Sequence, residues 1–264
     1  MFWIAAPVVT YLGVVLLVYL LQDLLVFPGS VSRGPAELPH VQGVETGHLA
    51  LPDGSRFRIA EGSPAGQPRG VLVFFVGNGE NLRSGVQWAG ELTSYGVATV
   101  VAEYPGYGES DGSPSVESFR QAADACAAHA QDLAERLGVP VFVGGSSIGT
   151  FSAVYLASQG IGERLLLLAP PTSTVEAGSS RYPWLPVKLL LKHRFDNLEP
   201  ASEVRCPALV IHGDRDRVVP AEMGRRVAAA LGCEFLLSTG HGHTRLPLSP
   251  AGPHAERVRA FLLE

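Results

Sequence analysis

From Phe2 to Gln22 the chain reads FWIAAPVVTYLGVVLLVYLLQ, without one charged position. As a helix rising about 1.5 Å per residue, this run reaches about 30 Å, the depth of a bilayer's hydrocarbon core. A cleaved signal peptide needs a basic stretch before a shorter apolar run and a small-x-small cleavage site. No Lys or Arg precedes this run. Residues 1–27 are therefore read as a membrane anchor, with a cleaved signal and a buried core helix as competing readings. Residues 28–43, PGSVSRGPAELPHVQG, are rich in Pro and Gly and read as a linker.

From residue 44 to the end the pattern changes to alternating short apolar runs and helical periods. VETGHLALPDGSRFRIAEG predicts two strands around a turn at Pro52-Asp53-Gly54. Val71 to Val76 is continuously apolar, as expected of a strand covered on both faces. A helix is predicted from Leu82 to Tyr95, then a strand in VATVVAEYPGYG. Ser115 and Ser118 both stand where a serine can cap the next helix, which runs to Leu137. The strand VPVFVGG precedes the helix SIGTFSAVYLASQ. ERLLLLAP, PALVIHGD and CEFLLS are further strands. PAEMGRRVAAALG and HAERVRAFLLE are helices. Strands alternating with helices predict an α/β domain, a mostly parallel sheet with helices on both sides.

The segment between Ala169 and Pro207 breaks this rhythm. It has no strand pattern, carries five prolines and contains a short apolar helix around Val187–Leu191. At about 170–206 it reads as a small lid over the end of the sheet, or as a surface excursion.

Composition then narrows the field. The 264 residues are 46% apolar, enough for one large packed domain. A net charge of −5 offers no basic stripe for phosphates, so no nucleic-acid partner is expected. Cys126, Cys206 and Cys233 lie far apart with no C-x-x-C pair, and read as small buried hydrophobes rather than a disulfide or zinc framework. The histidines show no metal-ligand spacing, and no Gly-rich phosphate loop occurs. No cofactor is expected. Arg outnumbers Lys, and Ala and Gly are frequent, which points to a GC-rich bacterial genome.

Ligands of open α/β sheets gather at the carboxyl ends of the strands. Ser146 and Ser147 follow VFVG, Asp214 and Asp216 follow ALVIHG, and His241 and His243 follow CEFLLS. A serine hydroxyl needs a base to become a nucleophile, and the base needs a carboxylate to fix its tautomer. Ser, Asp and His occur here in that chain order. Gly145-Ser146-Ser147-Ile148-Gly149 fits G-x-S-x-G, in which the residues two positions to either side of the serine must lack side chains. Ser147 has glycine at both offsets, whereas Ser146 has Ile148 at one of them. Ser147 is therefore the predicted nucleophile.

The stretches VFFVGNGENL, AEYPGYGES, GGSSIG, LKHRFDNLEP, CPALVIHGDRDRVVP and TGHGH resemble the α/β-hydrolase superfamily. More closely, they resemble its membrane-anchored serine hydrolases of the ABHD and bud-emergence type, as does the apolar N-terminus ending in LLQDLLVFPG. The resemblance implies an α/β-hydrolase fold over residues 44–264. It implies Asp216 as the acid, with Asp214 a loop residue, and His243 as the base, with His241 at a variable position. It implies an oxyanion hole from the backbone N–H groups of Ile148 and Asn78. The family reads H-G-N where this chain has Val76-Gly77-Asn78, so loop support from that histidine is lost. Glu80 beside it reads as an exposed loop carboxylate. The implied function is hydrolysis of an ester or thioester, with an acyl or lipid substrate met at the membrane, here the bacterial inner membrane. A non-catalytic scaffold and an amide or peptide hydrolase are the alternatives.

Overall fold

The computed structural model of the protein describes residues 2–31, 37–244, 248–249 and 251–264. Helix α1 (Phe2–Val26) is followed by a 3-10 turn at Pro28–Ser30. Then come β1 (Val44–Ala50), β2 (Arg56–Gly62), β3 (Val71–Phe75), α2 (Leu82–Thr93), β4 (Ala98–Ala102) and α3 (Val116–Leu137). The chain continues with β5 (Val141–Ser146), α4 (Gly149–Ser158), β6 (Leu165–Leu168), α5 (Thr174–Arg181), α6 (Val187–Leu190) and α7 (Leu198–Ala201). It ends with β7 (Ala208–Gly213), α8 (Ala221–Leu231), β8 (Glu234–Ser238) and α9 (Ala255–Leu263).

The strands form one sheet in the order β1-β2-β4-β3-β5-β6-β7-β8. β2 runs against the others, so its pairings with β1 and β4 are antiparallel, and the remaining pairings are parallel. Every residue of β3, β4 and β6 is buried, which is why these strands are continuously apolar instead of alternating. The β1–β2 turn holds as read: Asp53 Oδ1 accepts from the Ser55 N–H at 2.9 Å, and Gly54 takes φ 85°.

Local chemistry fixes the helix ends. Ser115 caps α3 by accepting from the Ser118 N–H (3.0 Å), and the Ser118 hydroxyl accepts from the Ser115 N–H (2.9 Å). Both serines thus serve one reciprocal cap, which meets two otherwise unpaired donors. α2 stops at Thr93, before the expected Tyr95, because the chain turns at Gly96 with φ 84°. Of the cysteines, Cys126 is buried, while Cys206 and Cys233 are half-buried; none forms a disulfide.

Two regions differ from the pattern reading. The segment after β6 is more structured than its prolines suggested. Ser173 caps α5, accepting from the Glu176 N–H at 3.1 Å, and Ser173 bridges to Asp196 across the excursion. The chain after α1 is also less free than a Pro/Gly linker implies. Phe27 is fully buried, edge-on to His193 at 4.8 Å and tilted against Phe119 at 5.8 Å. At Gly29 a Cβ would lie 2.3 Å from the Tyr107 ring, so only glycine fits. Residues 32–36 of the expected linker lie outside the described residues.

Candidate active site

β5 ends at Ser146 and α4 begins at Gly149, so the chain reverses within Ser147 and Ile148. Ser147 takes φ 54°, a left-handed conformation that costs a residue with a Cβ about 1–2 kcal/mol. The neighbours hold it there. Its N–H donates to the Leu168 carbonyl on β6 (2.8 Å), and its carbonyl accepts from the Thr150 hydroxyl (2.6 Å). The buried Asn197, at the start of α7, donates to Thr150 Oγ1 (2.9 Å) and to the Pro171 carbonyl (2.8 Å). One chain of hydrogen bonds therefore links the post-β6 excursion to the elbow. The flanking glycines are required sterically. A Cβ at Gly145 would lie 2.4 Å from the Gly149 carbonyl oxygen, and one at Gly149 would lie 2.1 Å from that of Phe75.

The ends of β7 and β8 bring the acid and the histidine to this serine. Asp216 Oδ1 accepts from the N–H groups of Val218 and Val219, each at 2.8 Å. Its Oδ2 meets His243 Nδ1 at 2.7 Å and His212 Nε2 at 3.2 Å. The Asp216 side chain is fully buried. Burial alone would raise its pKa, but hydrogen bonds from His212, His243 and the Val219 N–H outweigh it, and the carboxyl is held well below the usual carboxylate range. An ionised Asp216 only accepts, so the proton sits on His243 Nδ1 and leaves Nε2 as an acceptor. Nε2 lies 2.8 Å from Ser147 Oγ.

The alternatives have other partners. Asp214 Oδ1 accepts from the Gly240 N–H (2.7 Å) and so shapes the loop that carries the histidines. His241 Nδ1 pairs with the Ser238 hydroxyl at 2.9 Å. His212 is completely buried, with Nε2 also 2.9 Å from the Val219 carbonyl. Its Nδ1 faces Gly224, where a Cβ would come within 2.2 Å. The contact of His212 with the Asp216 carboxylate was not among the features read from the sequence, and no local pattern announces it.

Ser147 and His243 line a cleft of about 840 Å³. Gly77, Asn78 and Ile148 line it too, and among the described residues the N–H groups of Asn78 and Ile148 have no internal acceptor. The loop after β3 is well supported despite Val76. Glu80, expected as an exposed carboxylate, is instead half-buried and turned back under the loop. One oxygen accepts from the Gly77 N–H and the other from Trp88 Nε1 at 2.9 Å. The loop's fold back onto α2 makes this possible, because residue 80 lies within reach of residue 88. Tyr104 donates to the Val76 carbonyl and Tyr107 to Asn78 Oδ1, each at 2.7 Å. Burial raises both phenol pKa values, so both remain donors. The Asn78 amide donates to the Val26 carbonyl at the end of α1 (2.6 Å).

Helix α1 has a stretch, Ala6–Val26, long and apolar enough to cross a membrane, and almost none of it is buried. From Tyr11 to Asp23 it lies along the post-β6 excursion. Tyr11 donates to the Trp184 carbonyl (3.0 Å), Gln22 accepts from the Lys192 N–H (2.8 Å), and Asp23 meets His193 Nε2 (3.0 Å).

Comparison with known proteins agrees with this architecture. A family model described as serine aminopeptidase, S33, matches residues 66–194. An uncharacterised protein of Mycobacterium tuberculosis is 33% identical over 194 residues, covering 71% of this chain and 68% of that one. The lysophosphatidylserine lipase ABHD12 of Danio rerio is 28% identical over 179 residues, covering 60% of this chain and 46% of that one. Among solved structures, an esterase of Pyrococcus furiosus superposes with a TM-score of 0.69 at 14% identity, over 87% of this chain and 98% of its own. With this strand order and these relatives, the chain belongs to the α/β-hydrolase superfamily.

Proposed function

We propose that the protein is a membrane-tethered serine hydrolase that cleaves a carboxylic ester or thioester through an acyl-enzyme. The observation that carries this reading is the continuous relay from Ser147 Oγ through His243 to the buried Asp216 carboxylate, at the floor of an open cleft. Ser147 Oγ attacks the acyl carbonyl, and its proton passes to His243 Nε2. Asp216 holds the ring and stabilises the imidazolium. The Asn78 and Ile148 N–H groups receive the developing oxyanion, each worth about 10²–10³ in kcat. The intermediate collapses as His243 returns the proton to the leaving alcohol or thiol. His243 then takes a proton from water, the hydroxide releases the acid, and Ser147 regains its proton. Glu80, Tyr104 and Tyr107 substitute for the missing histidine in shaping the Asn78 loop, which weakens the case for a non-catalytic scaffold.

The tether is assigned to α1, and the excursion over residues 170–206 is assigned as the lid. A fluorophosphonate probe tests the reading: it is expected to label the wild-type protein and to leave Ser147→Ala unlabelled. Absence of labelling in the folded wild type, or labelling that survives Ser147→Ala, would overturn it. A second reading, peptide hydrolysis, is favoured by the description of the matching family model and by the Glu91 carboxylate in the cleft wall, a group suited to a substrate amine. Aminoacyl p-nitroanilides against p-nitrophenyl esters separate the two.

A further inference from the structure

A second cavity of about 450 Å³ lies between α1 and the segment 174–191. It is not separate from the serine cleft, because Val26, Thr174 and Ala177 line both. Its walls are hydrocarbon: Val18 and Leu25 from α1, Val187 and Leu190 from α6. Tyr19, Tyr182 and Trp184 add ring faces to this lining, and the side chains of Gln22 and Thr174 at its edge are already committed. The Gln22 amide donates to the Tyr19 and Leu190 carbonyls and accepts from the Lys192 N–H. The Thr174 hydroxyl donates to the His193 carbonyl. From Val18 to Val26 the groove follows α1 for about 12 Å. The wall that α2 gives the serine cleft differs, with Ser84, Gln87 and Glu91 in it, and none of these lines the second cavity.

We infer that this groove is the acyl-chain subsite of the Ser147 cleft and takes one long unbranched acyl chain, with the leaving group lying along the polar wall of α2. The inference rests on the serine hydrolase reading. Its occupant follows from three observations together: continuity with the serine cleft, a lining without free polar groups at Gln22 and Thr174, and a wall made by α1, among the described residues the one helix long and apolar enough to cross a membrane. A chain held beside that helix passes between bilayer and serine without crossing water. For a monomeric ester taken up from water, part of each added methylene's transfer is recovered on binding, up to about fourfold in kcat/KM per methylene until the groove is full.

The direct test uses an alkyl fluorophosphonate with a diazirine near the end of a long unbranched chain, on the full-length protein in detergent. Ser147 Oγ displaces fluoride at phosphorus, the hydroxyl proton leaving as HF, and light then fixes the chain end. Crosslinks in residues 18–26 and 182–191 are expected. An adduct on Ser147 with crosslinks along residues 84–91 would overturn the groove and leave the hydrolase standing. No adduct on Ser147 would overturn both. Val18→Trp and Leu190→Trp fill the groove from opposite walls. Each is expected to lower the ratio of dodecanoate to butyrate kcat/KM at least tenfold, with short-chain probe labelling of Ser147 reporting a folded site. An unchanged ratio in both variants would also overturn the proposal.

Discussion

The elbow at Ser147 and the surface shared by α1 and the 182–191 segment lie on two sides of one cleft, and they are built on opposite plans. At the elbow the serine and the carboxylate are held by partners within the domain. Ser147 is strained, and its N–H, its carbonyl and its hydroxyl each have a partner. The Asp216 carboxylate has four. Along α1 and the segment beside it, large apolar side chains stand in the open, among them Leu20, Leu25, Trp184 and Leu189. Contiguous exposed apolar surface of this kind marks a membrane or ligand contact. The contrast teaches that the reactive centre is determined from within the domain, whereas its approach is shaped by what lies outside it.

The largest effect is expected where the internal plan is most tightly drawn. Asp216→Asn removes the charge that fixes the His243 tautomer, and kcat on a soluble ester should fall by about 10⁴. A loss below tenfold would show that the relay is less coupled than its geometry. The same carboxylate also links the site to stability. Its native pKa is depressed below the model-peptide value of 3.8, so the native state favours the charged form. The stabilisation is therefore full above the unfolded value and is lost as pH falls through the native one. Urea midpoints of wild type and Asp216→Asn should differ most near neutral pH and converge below about pH 3.8. Divergence toward acid would reverse the sign.

Next in size is the steric half of the plan. Gly149→Ala places a methyl group against the Phe75 and Val76 carbonyls, backbone atoms at and just beyond the end of β3 that cannot swing aside. Overpacking of this kind costs about 1–3 kcal/mol. Thermal unfolding should register that loss, with activity reduced further because Ile148 N–H moves with the turn. Gly66→Ala, away from the cleft, serves as the control, since a Cβ there meets nothing within 4 Å.

How much of this was legible beforehand follows from the range over which each feature acts. The buried strands announced themselves as apolar runs, and the elbow as glycines two residues from a serine, because both constraints are local. Choosing Asp216 over Asp214 and His243 over His241 required the family resemblance, since both members of each pair follow the right strand. The contacts of His212 with Asp216, Tyr104 with Val76 and Phe27 with Phe119 join distant parts of the chain or depend on the bend of a loop. Nothing in their neighbours encodes them. Glu80 was misjudged for the same reason: a carboxylate among Gly and Asn reads as solvated until Trp88 is placed beneath it.

Glu80→Gln gives a smaller and more selective effect. The amide keeps the size and an acceptor oxygen but removes the charge on the bond to the Gly77 N–H. Charge-assisted hydrogen bonds are about twice as strong as neutral ones. The Asn78 loop should loosen, lowering kcat about tenfold, with KM for a short ester little changed and Glu80→Asp recovering less than wild type. A change confined to KM would place Glu80 in substrate binding instead.

The smallest effect belongs to the outward-facing plan. Leu189 on α6 is 83% exposed. Leu189→Glu should shift stability in detergent by no more than about 0.5 kcal/mol, the range of surface substitutions away from special features. On the proposed membrane contact, the same change in lipid nanodiscs sets a carboxylate beside acyl chains, where burying an unpaired charge is costly. The thermal midpoint should therefore fall relative to wild type in nanodiscs and hold in micelles containing detergent with a thin apolar core. Equal shifts in both would mean that Leu189 faces water, and that the exposed surface beside α1 ends before α6. That result would narrow the proposed membrane contact to α1 itself and leave the internal elbow untouched.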